Sequence, residues 1–253
     1  MRRVLITAGA NGIGLVMAQA FAATGAQVWV TDVDAAAIAG LPTDTHTGLR
    51  GTCVSVADEP GMAALMAEVQ AEWGGLDVLC VNAGIKGPTA AIVETDLSEW
   101  RDCLAVCLDG AFLTVKHAAP LMMGEGGAMI FTASTGGLYG FPYRSPYAAA
   151  KWAMIGLMKT AAMELGGYGI RCNAIAPGSV EGPRIDRVFA AEAAAKGMTP
   201  DAVAQGYAAG TALGCLVTAQ DVADMAVFLA DAPRISGQVI AVDGFTINPD
   251  PKV

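Results

Sequence analysis

The sequence predicts an α/β fold, a doubly wound parallel sheet of about seven strands with helices on both faces. Three observations carry that prediction. Short apolar runs alternate with longer helical stretches along nearly all of the 253 residues. The first run ends in a turn with glycines at 9, 12 and 14, and the second ends in an acidic residue, Asp32. Strand, glycine-rich turn and helix N-terminus together make an anion site, because unpaired N–H groups and the helix dipole point at the loop.

In order, residues 4–7 form the first strand, and LVMAQAFAATG is a helix ending at Gly25. AQVWVTD is a strand ending at Asp32, and residues 49–56 are the third. DEPGMAALMAEVQAEWG is a helix with acidic residues in its first turn. Residues 76–84 form the fourth strand, ending in Asn82, Ala83 and Gly84, and residues 97–123 form one long helix. Asp96 or Ser98 caps that helix, and Pro120 ends or bends it. GGAMIFTAS is the fifth strand, leading into Ser134; a helix follows over 146–165 and a sixth strand over 169–178. AQDVADMAVFLAD is amphipathic, and GQVIAVDG is the final strand. No linker or repeat divides the chain, so a single domain is expected over 1–253. Residues 179–218 are too long for an ordinary connection. With Thr199 as a helix cap and glycines at 182, 197, 206, 210 and 214, they read as a helical lid.

A net charge of −9 argues against nucleic acid or an anionic membrane as the main partner. No window approaches eighteen uninterrupted apolar residues. The basic, then apolar N-terminus is a strand rather than a leader, since glycines begin after four or five apolar residues. Six cysteines without C-x-x-C spacing fit buried thiols in a reducing cytoplasm. Cys103 and Cys107 share a helical face, but two ligands without a nearby His make no metal site.

Ser134, Tyr147 and Lys151 are the candidate chemistry. Tyr147 and Lys151 are four apart, hence on one face of a helix, and Ser134 closes the preceding strand. A phenol titrates near ~10 and adjacent positive charge lowers it, so Tyr147 can exchange a proton while Ser134 bonds the reacting oxygen. Gly12 and Gly14 let the backbone approach a pyrophosphate. Asp32, eighteen residues after Gly14, accepts from ribose hydroxyls and repels a 2′-phosphate. No Arg or Lys occupies 33–40, so the expected cofactor is NAD rather than NADP.

These motifs together resemble the short-chain dehydrogenase/reductase family of single-domain type, over nearly the whole chain. The matching elements are T-A-G-A-N-G-I-G at 7–14, Asp32, N-A-G at 82–84, Ser134 and the Y-A-A-A-K run. P-G at 177–178 and S-G-Q…V-D-G at 236–244 complete them. The resemblance implies a Rossmann fold, Tyr147 as catalytic acid/base and Ser134 as the residue that orients the substrate oxygen. It implies that Lys151 binds the nicotinamide ribose and lowers the Tyr147 pKa. Cofactor contacts are implied at Gly9, Asn11, Gly12, Ile13 and Gly14, at Ser55 and Val56, and at Asn82, Ala83 and Gly84. Pro177, Gly178 and Val180 complete that set. A homotetramer or homodimer is implied, with helices 97–123 and 146–165 against a partner.

Four departures stand out: Ala8 for the first glycine of the turn, Ser55 for the Asp near the adenine, Val81 for the second Asn, and Cys107 for the Asn on the long helix. The family's Asn acts mainly through its backbone carbonyl, so Cys107 is expected to keep the water relay and counts as a catalytic-site residue.

The expected reaction is NAD-dependent interconversion of a secondary alcohol and a ketone. A non-catalytic nucleotide sensor on the same fold, or an NAD-using epimerase or dehydratase, are the alternatives. Tyr139, Arg144 and Arg184 are candidate substrate contacts, with Lys86, Arg187 and Tyr143 nearby. Basic groups around a neutral hydride-transfer site suggest a small anionic hydroxy compound, with Arg184, at the entry to the lid, as the leading contact.

Overall fold

The computed structural model describes residues 1–42 and 49–248. Seven parallel strands, β1 (Arg3–Thr7), β2 (Gln27–Asp32), β3 (Leu49–Cys53), β4 (Val78–Val81), β5 (Gly127–Thr132), β6 (Ile170–Pro177) and β7 (Val239–Val242), stand in the order 3-2-1-4-5-6-7. The order reverses between β1 and β4. In open parallel sheets, ligands bind at the carboxyl ends of strands flanking such a switch point. The strands read as apolar runs because both faces are covered; Val4, Leu5 and Ile6 of β1 have no exposed surface.

One core lies between the sheet and helices α3 (Glu59–Trp73), α5 (Gly110–Met122) and α6 (Ser145–Leu165). The opposite core packs α1 (Gly12–Ala23) and α9 (Ala219–Asp231) on the other face. Local signals set the ends: Gly74 stops α3 in the left-handed conformation, and Thr218 and Asp221 cap α9 reciprocally.

Several boundaries differ from the sequence reading. The third strand stops at Cys53, which leaves Ser55 and Val56 in a turn. The fourth stops at Val81 and the fifth at Thr132, so Asn82–Gly84 and Ser134 lie in loops at the carboxyl edge. A short helix, α2 (Ala35–Ala39), was not expected; Asp34 caps it by accepting from the Ala37 N–H at 3.0 Å.

The long helix is broken. α4 (Leu97–Leu104) passes through a π-helical turn, Ala105–Asp109, into α5. Asp96, not Ser98, is its N-cap residue, and Pro120 sits inside the last turn without ending it. By length and composition Leu97–Met122 could cross a bilayer, but Cys103, Ala111, Val115 and Met122 bury one side of it in the cores.

The segment after β6 holds α7 (Pro183–Lys196) and α8 (Pro200–Ala209), the latter capped by Thr199 as expected. Phe189, Ala193 and Val203 form its own small apolar cluster. Gly206 lies buried within α8 rather than at a hinge.

Candidate active site

The turn after β1 is built for close approach. A Cβ at Gly14 would stand 2.1 Å from the Ala8 carbonyl oxygen, and one at Gly9 would stand 2.6 Å from the Val30 Cβ. Ala8 itself holds φ 51, where a side chain is disfavoured. Asn82 fixes the turn, its Nδ2 donating to the carbonyls of Thr7 and Ala8 at 3.0 and 3.1 Å. Thr7 Oγ1 in turn accepts from the N–H groups of Asn82 and Ala83. Asn11 precedes α1 with no side-chain cap bond, so the first N–H groups of the helix stay available to an anion. The Asp32 carboxylate accepts from Ala10 N–H at 3.2 Å and Asp34 N–H at 3.1 Å at the rim of the cleft. A glycine cradle that no Cβ could enter, an uncapped helix start and this carboxylate fit a dinucleotide's pyrophosphate and ribose.

The cleft, about 620 Å³, continues to Ser134, Tyr147 and Lys151. All three are buried. Lys151 Nζ donates to the Thr132 carbonyl at 2.6 Å and lies 5.7 Å from the Tyr147 ring centroid. Ser134 Oγ accepts from Gly136 N–H at 3.1 Å, which turns the hydroxyl toward Tyr147. Burial pushes the Tyr147 phenol up, but Lys151, Arg184, the Ser134 hydrogen bond and Arg144 together hold it below its ordinary value.

Cys107 lies behind this group rather than on the cleft wall. Its Sγ accepts from Ile85 N–H at 3.4 Å and donates to the Ile85 carbonyl at 3.5 Å, tying the loop after β4 to the π-helical turn. The hydrogen bond from Cys103 is the main cause that lowers the Cys107 thiol's pKa; burial opposes it, and the Lys151 charge adds to it.

Tyr139, Arg144 and Arg184 line the cleft, as do Asn11, Gly12, Ile13, Gly14, Asp32, Asn82, Gly84, Pro177, Gly178 and Val180. Gly9, Ser55, Val56 and Ala83 do not. Gly9 packs on Val30, Val56 on Gly110, and Ser55 lines a separate shallow depression beside Cys53 and Asp58. Arg187 reaches the cleft, whereas Lys86 contributes only its carbonyl, which accepts from Arg144 Nε at 3.1 Å. Sequence reasoning missed Thr132 and Tyr207. The first shows only as the residue before Ala133 in an apolar run; the second, from α8, lines the cleft and donates to Glu192 at 2.7 Å.

A family model described as "Enoyl-(Acyl carrier protein) reductase" matches residues 7–245. A trans-4-hydroxycyclohexanecarboxylate dehydrogenase of Sinomonas cyclohexanicum is 35% identical, over 95% of this chain and 90% of that one. The solved structure of an NAD+-bound xylitol dehydrogenase superposes with a TM-score of 0.91 at 25% identity, covering 96% of this chain and 98% of the other. ElxO with NADP bound superposes at 0.85 and 30% identity, covering 96% and 97%.

Proposed function

The chain belongs to the short-chain dehydrogenase/reductase family, and on that premise we propose that it oxidises a secondary alcohol to a ketone with NAD, Tyr147 carrying the proton. The observation that supports this most is a buried phenol between a hydroxyl and an ammonium, at the carboxyl edge of the sheet and in one cleft with the glycine turn. The dinucleotide, when bound, supplies the hydride acceptor. Tyr147, with its pKa held down by the surrounding cations, takes the proton from the substrate hydroxyl. Ser134 hydrogen-bonds the same oxygen and orients the carbon. Lys151, fixed by the Thr132 carbonyl, stabilises the phenolate. Cys107 positions Lys151 indirectly: its bonds to Ile85 hold the loop after β4, where a Cβ on Gly84 would lie 3.5 Å from both Cys107 Sγ and Lys151 Nζ. The sensor and epimerase alternatives are not favoured, since the similar proteins are dehydrogenases. Formation of NADH on adding secondary alcohols and NAD tests the reading, and no turnover across a broad panel would sink it.

The preference for NAD rests on Asp32. Its carboxylate lines the cleft with Asp34, where a bound ribose would meet it, and no cation occupies 33–40. A 2′-phosphate would meet like charge there.

Residues 179–218 act as the lid within a single domain spanning 1–253. Its two ends meet where Glu181 N–H donates to the Val217 carbonyl at 2.9 Å and Val217 N–H to the Ser179 carbonyl at 3.0 Å. Beyond that neck, α7 and α8 carry their own apolar cluster, and Gly182 and Gly197 hold positive φ at their ends. Such a unit can close without unpacking the main cores. Assembly into a homodimer or homotetramer through α4, α5 and α6 is supported by exposed Phe112, Trp152 and Met163; sedimentation measures it. A cytoplasmic setting is proposed on the four buried thiols, Cys80, Cys103, Cys107 and Cys172; Cys53 and Cys215, expected buried, are exposed.

A further inference from the structure

Arg144 is 5% exposed, and a guanidinium taken so far out of water needs an anion or a full set of acceptors. The protein supplies one acceptor, the Lys86 carbonyl at Nε. Among the described residues the rest of the fork has no hydrogen-bond or ion-pair partner. Two rings hold it in place on the cleft wall: its Cζ lies 4.9 Å from the Tyr147 centroid and 5.2 Å from that of Phe141. Arg184 is the second residue of α7, at the positive end of a helix dipole, where a cation is disfavoured. Burial, and with it the like charge of Arg184, pulls the Arg144 guanidinium below its ordinary value. Two cations in one cleft, one of them buried and unpaired, are each relieved by a single anion between them.

Resting on the dehydrogenase reading of this cleft, we propose that Arg144 and Arg184 form a carboxylate site, so that the substrate is a hydroxy acid held by its anionic group while its carbinol meets Ser134 and Tyr147. Arg144, rather than Arg184, is the anchor, because its fork is already fixed and matches a carboxylate's two oxygens. Arg184 arrives with the lid. A bound carboxylate then joins the fixed wall just before α6 to the lid wall on α7, and substrate charge favours closure. Arg184 shares this cleft with the glycine turn, so the cofactor's pyrophosphate is the other anion it could serve, and the experiment separates the two.

Calorimetry on the NAD-loaded protein compares cyclohexanecarboxylate with cyclohexanecarboxamide, and butyrate with butyramide. None of these carries a carbinol, so the readout does not depend on turnover. In at least one pair the acid should bind about 10-fold or more tightly than its neutral isostere, the size of a charge-assisted hydrogen bond. Arg144→Met and Arg184→Met should each remove most of that advantage, weakening the acid far more than the carboxamide, while Arg144→Lys retains part of it. Arg184 is exposed, so its variant carries the test if Arg144→Met fails to fold. Equal binding of acid and amide, or binding of neither, overturns the proposal. So does an Arg184→Met protein that loses affinity for NAD yet keeps the acid's full advantage. The dehydrogenase reading fails separately, by absence of NADH formation with any secondary alcohol.

Discussion

At the N-terminal edge of the sheet, Arg2, Arg3 and Arg171 have each found an acceptor. Arg3 donates to Asp77 through its backbone N–H at 2.7 Å and its Nε at 3.0 Å, and also reaches Glu125. Arg2 pairs with Asp231, and Arg171 donates to the carbonyls of Leu229 and Ala230 at 2.7 Å. At the carboxyl edge the same residue types are left unmatched. Among the described residues Lys151 has a carbonyl and no carboxylate, and Arg144 is buried without a counter-ion; Ala8 and Tyr143 hold φ values of 51 and 61. One edge therefore carries stability, whereas the other stores unpaired charge and backbone strain at the cleft. The contrast is sharpest for buried cations, whose cost is offset only when an anion arrives.

The largest expected effect lies at the strained edge. Tyr147→Phe should lower alcohol oxidation by about 100-fold or more, the scale of general acid/base catalysis. NAD affinity and melting temperature should remain near wild type, since the ring and its contacts with Arg144 stay. Near-normal turnover in this variant would remove the phenol from the mechanism.

Next comes cofactor choice. Replacing Asp32 by Ser removes the like charge that a 2′-phosphate would meet. The ratio of kcat/KM for NAD over NADP should fall by about 10- to 100-fold, a few kcal/mol of discrimination. Some loss with NAD itself is expected, because Asp32 also holds the turn through Ala10 and Asp34. An unchanged ratio would place the ribose away from this carboxylate.

What the sequence revealed and what it hid divide along related lines. Tyr147 and Lys151 were legible because four residues on a helix fix their relation, and the glycine turn because Gly14 follows a strand directly. Arg144 is legible as a candidate substrate contact, but nothing in the sequence marks it as buried. Its burial depends on the Lys86 carbonyl 58 residues upstream and on a positive φ at Tyr143, neither of which leaves a local pattern. The sequence reading runs the third strand three residues too far, over Ser55 and Val56, which the resemblance implies as cofactor contacts; the chain turns after Cys53 and buries Val56 against Gly110. The alanine-rich α2 gave no periodic signal, and the π-helical turn hid inside a continuous apolar stretch. The link from Thr7 to Asn82 spans 75 residues and was equally silent.

At the N-terminal edge, Asp77→Ala should cost about 1–2 kcal/mol of stability at neutral pH, discounted for partial exposure of the pair, with turnover unaffected. Partial burial pushes the Asp77 carboxyl up, but the bonds from Arg3 outweigh it and hold the group below its ordinary value. A carboxyl lowered on folding stabilises fully above its unfolded value, near ~3.9, and loses that contribution as pH falls through the folded value. Denaturant titrations should therefore show the wild type losing its lead over the variant in that acid window. A gap that stays constant with pH would mean that the pair contributes packing rather than charge.

The smallest effect tests whether strain at the carboxyl edge is needed. Ala8 stands where the family's turn has glycine, and its φ of 51 costs an L-residue about 1–2 kcal/mol. Ala8→Gly removes that cost. Against it, glycine gives up about 0.5–1 kcal/mol more chain entropy on folding, and the Ala8 methyl loses its partial packing on the core beneath α5. The balance favours the glycine variant by about 0.5 kcal/mol, or about 1–2 °C in Tm for a chain of this size. NAD affinity should not change, because Asn82 Nδ2 holds the Ala8 carbonyl from outside and Gly14 packs on that same oxygen, whichever residue supplies it. A variant that is more stable but binds NAD several-fold more weakly would show that the strained alanine keeps the turn in its binding geometry. A variant that is less stable would show that the methyl's packing outweighs the backbone strain, and the first position of this turn would then belong with the paired, stabilising edge of the sheet.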